Sequence, residues 1–200
     1  MILAGGESVR MGRPKALLEL DGRSFAAAAV ANLRAAGVVS VLVVEGAHRL
    51  PADLPGLDGV ERVANPDWRL GPLASLQAGL RRALALDPAL LGLLVHAVER
   101  PRVRASSFAS LIAAFEREPE GLWQPTHLGR SGHPMLWPRS LFAELLALDP
   151  ATADARALVR GSASPRRRKL ELDDPGVLDN IDTPADLERL RSRASGPGSD

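Results

Sequence analysis

Apolar and polar positions along this chain fall into two periods. Short runs rich in Val and Leu, "VVSVLVVEG" (38–46) and "ALLGLLVHAV" (89–98), have the length and continuity of strands buried on both faces. Between and after them, "SFAAAAVANLRAAG" (24–37), "PLASLQAGLRRALAL" (72–86) and "SSFASLIAAFERE" (106–118) repeat their apolar positions at helical spacing. Ser24 is the expected N-cap of the first of these helices and Gly37 its C-terminal stop. Downstream, "GLWQPT" (121–126) and "PMLW" (134–137) predict short strands, and "RSLFAELLAL" (139–148) and "ATADARALVRG" (151–161) predict helices. "RRKLELD" (167–173) alternates like an edge strand. In "DTPADLERLRSR" (182–193), Thr183 is the expected N-cap, Pro184 takes the first helical position and Asp186 lies in the first turn. Strands alternating with helices in this way predict an α/β protein with a mostly parallel sheet.

Length is consistent with one domain over 1–193, followed by a polar, Gly/Pro-rich tail (194–200) expected to be disordered. Composition narrows the function classes. Apolar residues make up 46% and charged residues 24%, as in soluble globular proteins. No apolar run approaches the ~20 residues of a membrane span, and no secretory signal opens the chain, so a cytoplasmic protein without a membrane partner is expected. The absence of cysteine excludes a disulfide framework, a thiolate zinc site and a cysteine nucleophile. A net charge of +1 argues against nucleic acid as a partner, and "RRRK" (166–169) reads as a solvated face. Any anionic ligand must therefore be held by locally placed charge.

Such a placement opens the chain. In "LAGGESVRMGRPK" (3–15), Gly5, Gly6 and Gly12 permit positive φ and close approach, and Arg10 and Lys15 supply cationic donors. A strand running into glycines and then a helix points backbone N–H groups at the carboxyl edge of a sheet, where phosphates bind. Neither GxxxxGK[ST] nor GxGxxG is present. Glycine and charge content alone leave a basic surface turn equally open.

The full string "LAGGESVRMGRPKALLEL" closely resembles the nucleotide-binding loop of the MobA-like nucleotidyltransferases, the molybdenum-cofactor guanylyl- and cytidylyltransferases, written there roughly as LA(A/G)GxSxRMGxPKxLL. The resemblance implies a single-domain, Rossmann-like three-layer nucleotidyltransferase fold with helices on both faces of the sheet. It places Leu3, Ala4, Gly5, Gly6 and Ser8 against base and ribose, with Arg10 and Lys15 on the triphosphate. Later segments follow in family order. "NPDWRLGPLASLQAGL" (65–80) resembles NPxWxxGxxxSLxxGL, which implies nucleotide contacts from Asn65, Gly71 and Ser75; a strand-to-helix loop with Trp68 as core is the alternative. "LLVHAVERPRV" (93–103) follows an apolar strand ending in HPVDxPLV, whose Asp binds Mg2+, and Glu99 takes that position. Either Glu99 binds the metal with a shifted backbone, or its extra methylene marks weakened chemistry, because Mg2+ tolerates little departure from octahedral geometry. "GRSGHPMLW" (129–137) resembles GxxGHPVLF of the cytidylyltransferase branch and implies a second-substrate loop carrying Gly132 and His133. "LDNIDTPADL" (178–187) matches D(I/N)xTPxDL, which implies a second metal contact, first at Asp182 and alternatively at Asn180.

The resemblance thus implies an Mg2+-dependent enzyme that moves a nucleoside monophosphate from an NTP to a phosphorylated acceptor such as molybdopterin, releasing pyrophosphate. A molybdoenzyme apoprotein is then a possible recipient of the product. "LAGG" favours the guanine branch, while "MGRPKALL" and "GHP" favour CTP, which is the leading expectation. A sugar-phosphate nucleotidyltransferase and a degenerate nucleotide-binding module without turnover remain as alternatives. Only Met1 and Ile2 precede Leu3, so the first strand either begins upstream or is short.

Overall fold

The computed structural model of the chain describes residues 1–194, with side chains through 192; residues 195–200 of the expected tail lie outside it. The chain opens with strand β1 (Ile2–Leu3), a hairpin of β2 (Glu19–Leu20) and β3 (Arg23–Ser24), helix α1 (Phe25–Ala35), and strands β4 (Leu42–Glu45) and β5 (Glu61–Ala64). Helix α2 (Pro72–Leu86), strand β6 (Gly92–Ala97) and helix α3 (Ala105–Arg117) follow. After them come strands β7 (Leu122–His127), β8 (Arg130–Ser131) and β9 (Met135–Pro138), and the short helices α4 (Phe142–Ala147) and α5 (Ala155–Arg160). Edge strand β10 (Arg167–Glu171) and helix α6 (Pro184–Ala194) complete the described chain.

The main sheet has the order β10-β7-β9-β6-β1-β4-β5, with β8 paired to β7. Its pairings are parallel at β1/β4, β1/β6, β4/β5 and β10/β7, and β9 runs antiparallel to both β6 and β7. Successive strand residues point to opposite faces and so feed two cores. Ile2 and Val43 pack with Phe25, Phe108, Leu187 and Leu190 on the side of α1, α3 and α6. Leu42, Val44, Leu93 and Val95 pack with Leu76, Leu80, Phe142 and Leu158 on the side of α2, α4 and α5. The three layers expected from the resemblance are therefore present.

Several boundaries differ from the sequence reading for local reasons. The strand expected over 38–46 is confined to Leu42–Glu45, because the Val38 amide donates to Leu33 O in the close of α1, and Val39 is 97% exposed. The helix expected over 139–148 opens as a 3-10 turn at Arg139–Leu141. That expected over 151–161 begins only at Ala155. Asp149 first closes a turn through the amides of Ala151, Thr152 and Ala153, and Asp154 then caps α5 by accepting from Ala157 N at 2.8 Å. Ser24 caps α1 as expected, accepting from Ala27 N at 3.1 Å. Thr183 and Asp186 form a reciprocal box at the start of α6: Asp186 N donates to Thr183 Oγ1 at 3.2 Å, and Thr183 N donates to Asp186 Oδ2 at 2.8 Å.

Candidate functional site

The chain leaves β1 toward β4 on one side and later returns through β6 on the other, so the strand order reverses beside β1. The crevice beyond the carboxyl ends of strands at such a reversal is where open α/β sheets bind ligands. A cleft of about 1040 Å³ lies there. Its walls include the loop Leu3–Ser8, Lys15, Gly71 and Ser75 at the start of α2, Glu99 and Arg100 after β6, His133 before β9, and Asn180.

The glycines of the opening loop are used for contact. A Cβ on Gly5 would lie 2.9 Å from Ser75 Oγ, and a Cβ on Gly46, just past β4, would lie 2.4 Å from Gly5 O. Backbone therefore packs on backbone beneath the cleft, and Ala47 N donates to Gly5 O at 3.1 Å. Ser8 takes the left-handed region (φ 59°), and its hydroxyl accepts from Lys15 N at 3.2 Å, folding the loop back on itself. Asn65 is buried behind this wall, donating from Nδ2 to Ser75 Oγ at 3.0 Å. It stands behind the cleft lining and holds Ser75, where the resemblance implies a nucleotide contact. Trp68 is not core: it lines the cleft with Arg69 stacked on its indole, 4.3 Å from the ring centroid.

Charge gathers at one end. Lys15 Nζ is paired with Asp182 Oδ1, Arg10 Nη2 lies 2.9 Å from Asp182 Oδ2, and Asn180 Nδ2 donates to the same oxygen at 2.7 Å. Arg10 itself is 69% exposed and stands at the rim outside the cleft lining. Helix capping belongs to Thr183 and Asp186, so the Asp182 side chain is left to these cations. Partial burial alone would raise the Asp182 carboxyl, but the hydrogen bond and charge of Lys15, with Asn180 and Arg10, hold it below its ordinary value. Ile181 N donates to Glu99 O at 3.1 Å, which brings the Asp182 segment alongside Glu99. Among the described residues no group of three or more His, Asp or Glu side chains is arranged to hold a metal.

On the β9 side, His133 is half-buried and its Nδ1 has no partner, while its backbone amide donates to Val177 O at 2.9 Å. Burial, with the charges of Arg100 and Arg156, pushes its imidazole down to about 4, so it is neutral near pH 7. Gly132 stays out of the cleft: it is buried, and a Cβ there would meet Val177 O at 2.3 Å. Its expected part in the second-substrate loop is thus to let that loop pack. Sequence reasoning did not single out Asp154 and Arg156, which come from α5, or Arg69. Nothing in their local pattern marks them, since the short α5 brings its pair in only through tertiary packing.

Comparison with known proteins gives the family of the chain. The family described as the MobA-like NTP transferase domain matches residues 1–169. A molybdenum cofactor guanylyltransferase of Rhizobium meliloti (strain 1021) is 33% identical over 203 residues, covering 96% of this chain and 89% of that protein. A probable molybdenum cofactor guanylyltransferase of Opitutus terrae is 39% identical over 110 residues, and there the match spans only about half of each protein, 55% of this chain and 52% of the relative. Among solved structures, Rv0371c of Mycobacterium tuberculosis H37Rv superposes with a TM-score of 0.77 at 27% identity, covering 96% of this chain and 95% of that one. A manganese complex of Rv0371c superposes with a TM-score of 0.75 at 25% identity, covering 96% of each chain. Among the described residues no helix is long and apolar enough to cross a membrane.

Proposed function

The chain belongs to the MobA-like NTP transferase family, and from that membership we propose that it transfers a nucleoside monophosphate from an NTP to a phosphate of molybdopterin, releasing pyrophosphate. The observation that carries this reading is the cleft itself, in which the glycine loop, Lys15 and Ser75 share one chamber with Glu99 and His133. GTP is the donor supported by relatives named guanylyltransferases. CTP is the second reading, supported by the "GHP" segment that places His133 in the cleft.

In this mechanism Leu3, Ala4, Gly5 and Gly6 present backbone to base and ribose, with Gly71 and Ser75 opposite and Asn65 orienting Ser75. Lys15 and Arg10 leave Asp182 for the triphosphate, where fixed cations stabilise the charge that grows as pyrophosphate departs. The acceptor phosphate, held by the wall that carries His133 and Asn180, attacks the α-phosphorus in line, and no covalent enzyme intermediate is needed. Positioning and electrostatics supply most of the acceleration. Glu99 and the released Asp182 suit Mg2+, which commonly takes one or two carboxylates together with waters and substrate phosphates. Held by Glu99 and Asp182, the ion would supply positive charge to offset that of the phosphates. A molybdoenzyme apoprotein is the expected recipient of the product.

The test incubates the protein with Mg2+, molybdopterin and each NTP in turn and measures pyrophosphate. Release with GTP supports the first reading and release with CTP the second. Nucleotide binding without release from any NTP leaves a binding module. Lys15→Ala should weaken NTP affinity tenfold or more with the fold intact by circular dichroism; unaltered affinity refutes the role given to the loop.

A further inference from the structure

Trp68 and Arg69 line the cleft but take no part in the transfer chemistry described above. Their turn is fixed from two sides. Buried Asn65 accepts from Asp67 N through Oδ1 at 3.0 Å while it donates to Ser75 Oγ, and Gly71 N donates to Trp68 O at 3.0 Å. A Cβ on Gly46 would lie 2.6 Å from Trp68 Cβ and 2.4 Å from Gly5 O, so the turn also rests on the backbone beside the glycine loop. The strand order β6-β1-β4-β5 then gives the cleft a direction. Lys15 and Asp182 gather beside Glu99, past β6, whereas Trp68 and Arg69 stand past β5 at the other end. Arg69 is exposed, its guanidinium carbon lies 4.3 Å from the indole centroid, and among the described residues its side chain makes no hydrogen bond and no ion pair. Stacking engages the flat face of a guanidinium and leaves its edge N–H groups pointing outward in one plane. Lys15, the cation assigned to the triphosphate, is at the far end, so the base of a nucleotide laid along the cleft is the part that reaches Arg69.

We propose that Arg69, held in plane by its stack on Trp68, selects the base of the donor nucleotide by donating to N7 and O6 of guanine; the assignment rests on the transferase reading above and names the side chain that separates one NTP from another. Guanine sets two acceptors, N7 and O6, side by side, and a guanidinium fork matches them with two parallel hydrogen bonds. Adenine has an amino group in place of O6, and cytosine presents its N4 amino group on the corresponding edge, so in both a donor faces a donor. The backbone of Leu3–Gly6 carries no such distinction of sign. Arg69 therefore governs the ratio of affinities among nucleotides, while Lys15 governs the affinity common to all of them.

Calorimetry of GTP, ATP and CTP binding to the full-length protein in Mg2+ buffer tests this, with the ratio of affinities as the readout, because a change of charge alone weakens or strengthens every NTP alike. The unsubstituted protein should bind GTP about tenfold more tightly than CTP or ATP, the scale of one bidentate base contact. Arg69→Ala should remove most of that ratio by weakening GTP, with CTP affinity within about twofold of its original value. Arg69→Glu, whose carboxylate accepts from the N4 amino group of cytosine, should turn the order in favour of CTP. Trp68→Leu should lower the ratio with Arg69 in place, and Trp68→Phe should restore most of it; a ratio unmoved in Trp68→Leu overturns the part given to the stack. A preference for CTP in the unsubstituted protein, a ratio unchanged in Arg69→Ala, or an equal fall for all three nucleotides overturns the proposal. Absence of pyrophosphate from every NTP defeats the transferase reading alone, because the affinity ratios need no turnover.

Discussion

Asp182 holds Lys15 and Arg10 in one ion-pair cluster, the same cations assigned to the triphosphate, so carboxylate and nucleotide compete for them. Asp182→Asn should therefore tighten NTP binding in the presence of a chelator by about two- to fivefold, the scale of a partly exposed ion pair, while Mg2+-dependent turnover falls. Calorimetry with and without Mg2+ separates the two effects, and weaker binding under chelator would refute the competition. The same residue scale governs response to acid. His96 is buried edge-on against Phe108, with centroids 5.2 Å apart, and burial with neighbouring charge lowers its pKa to about 3, while His133 lies near 4. Both folded values lie below the ordinary histidine pKa of ~6.5, so the unfolded chain binds more protons as pH falls through that window. The contribution of these two histidines to stability is accordingly full above pH 6.5 and declines toward pH 4, by up to about 1.4 kcal/mol per pH unit for each. Denaturation midpoints measured across this window should show the slope, and His133→Asn should reduce it. Glu99 and Lys15 are legible from their motif positions. The pairing of Lys15 with Asp182 is not, because the two lie 167 residues apart in the chain.

At the scale of elements, the glycine loop depends on a neighbour that carries no chemistry of its own. Gly46 ends β4 against Gly5 O and Trp68 Cβ, and both atoms would be within 2.6 Å of an added Cβ. Gly46→Ala must move the nucleotide loop or the Trp68 turn, at the ~1–3 kcal/mol typical of overpacking. A lower melting temperature together with weaker NTP affinity is expected; a drop in stability alone would show that the loop does not bear on binding. Helices α1, α2, α3 and α6 are legible from their apolar period, reinforced by the Ser24 cap at α1, Pro72 at α2, and Thr183 with Pro184 at α6. The segment before β4 and the start of α5 are not. There a carbonyl of α1 and the side chains of Asp149 and Asp154 capture backbone amides that periodicity assigns to a strand and a helix.

For the whole molecule, the mostly parallel sheet follows from alternating strands and helices, whereas the antiparallel β9 between β6 and β7 has no signature in a four-residue apolar run. That inversion carries His133 to the cleft, and so the wall proposed for the second substrate is visible only once the sheet is assembled. The cleft is closed by segments far apart in sequence: Lys15 stands in the loop after β1 and Asp182 just before α6. Long-range closures of this kind form late, after the elements between them are in place. A chain ending at residue 178 keeps the glycine loop, Ser75 and Glu99 but lacks Asn180, Asp182 and α6. It should lose the Mg2+-dependent gain in NTP affinity, and retention of that gain would refute the closure. During synthesis the same constraint applies. Until the segment that carries Asp182 has cleared the ribosome, Lys15 has no carboxylate to meet, and its ammonium group stays unpaired at the edge of a cleft whose other walls are already made.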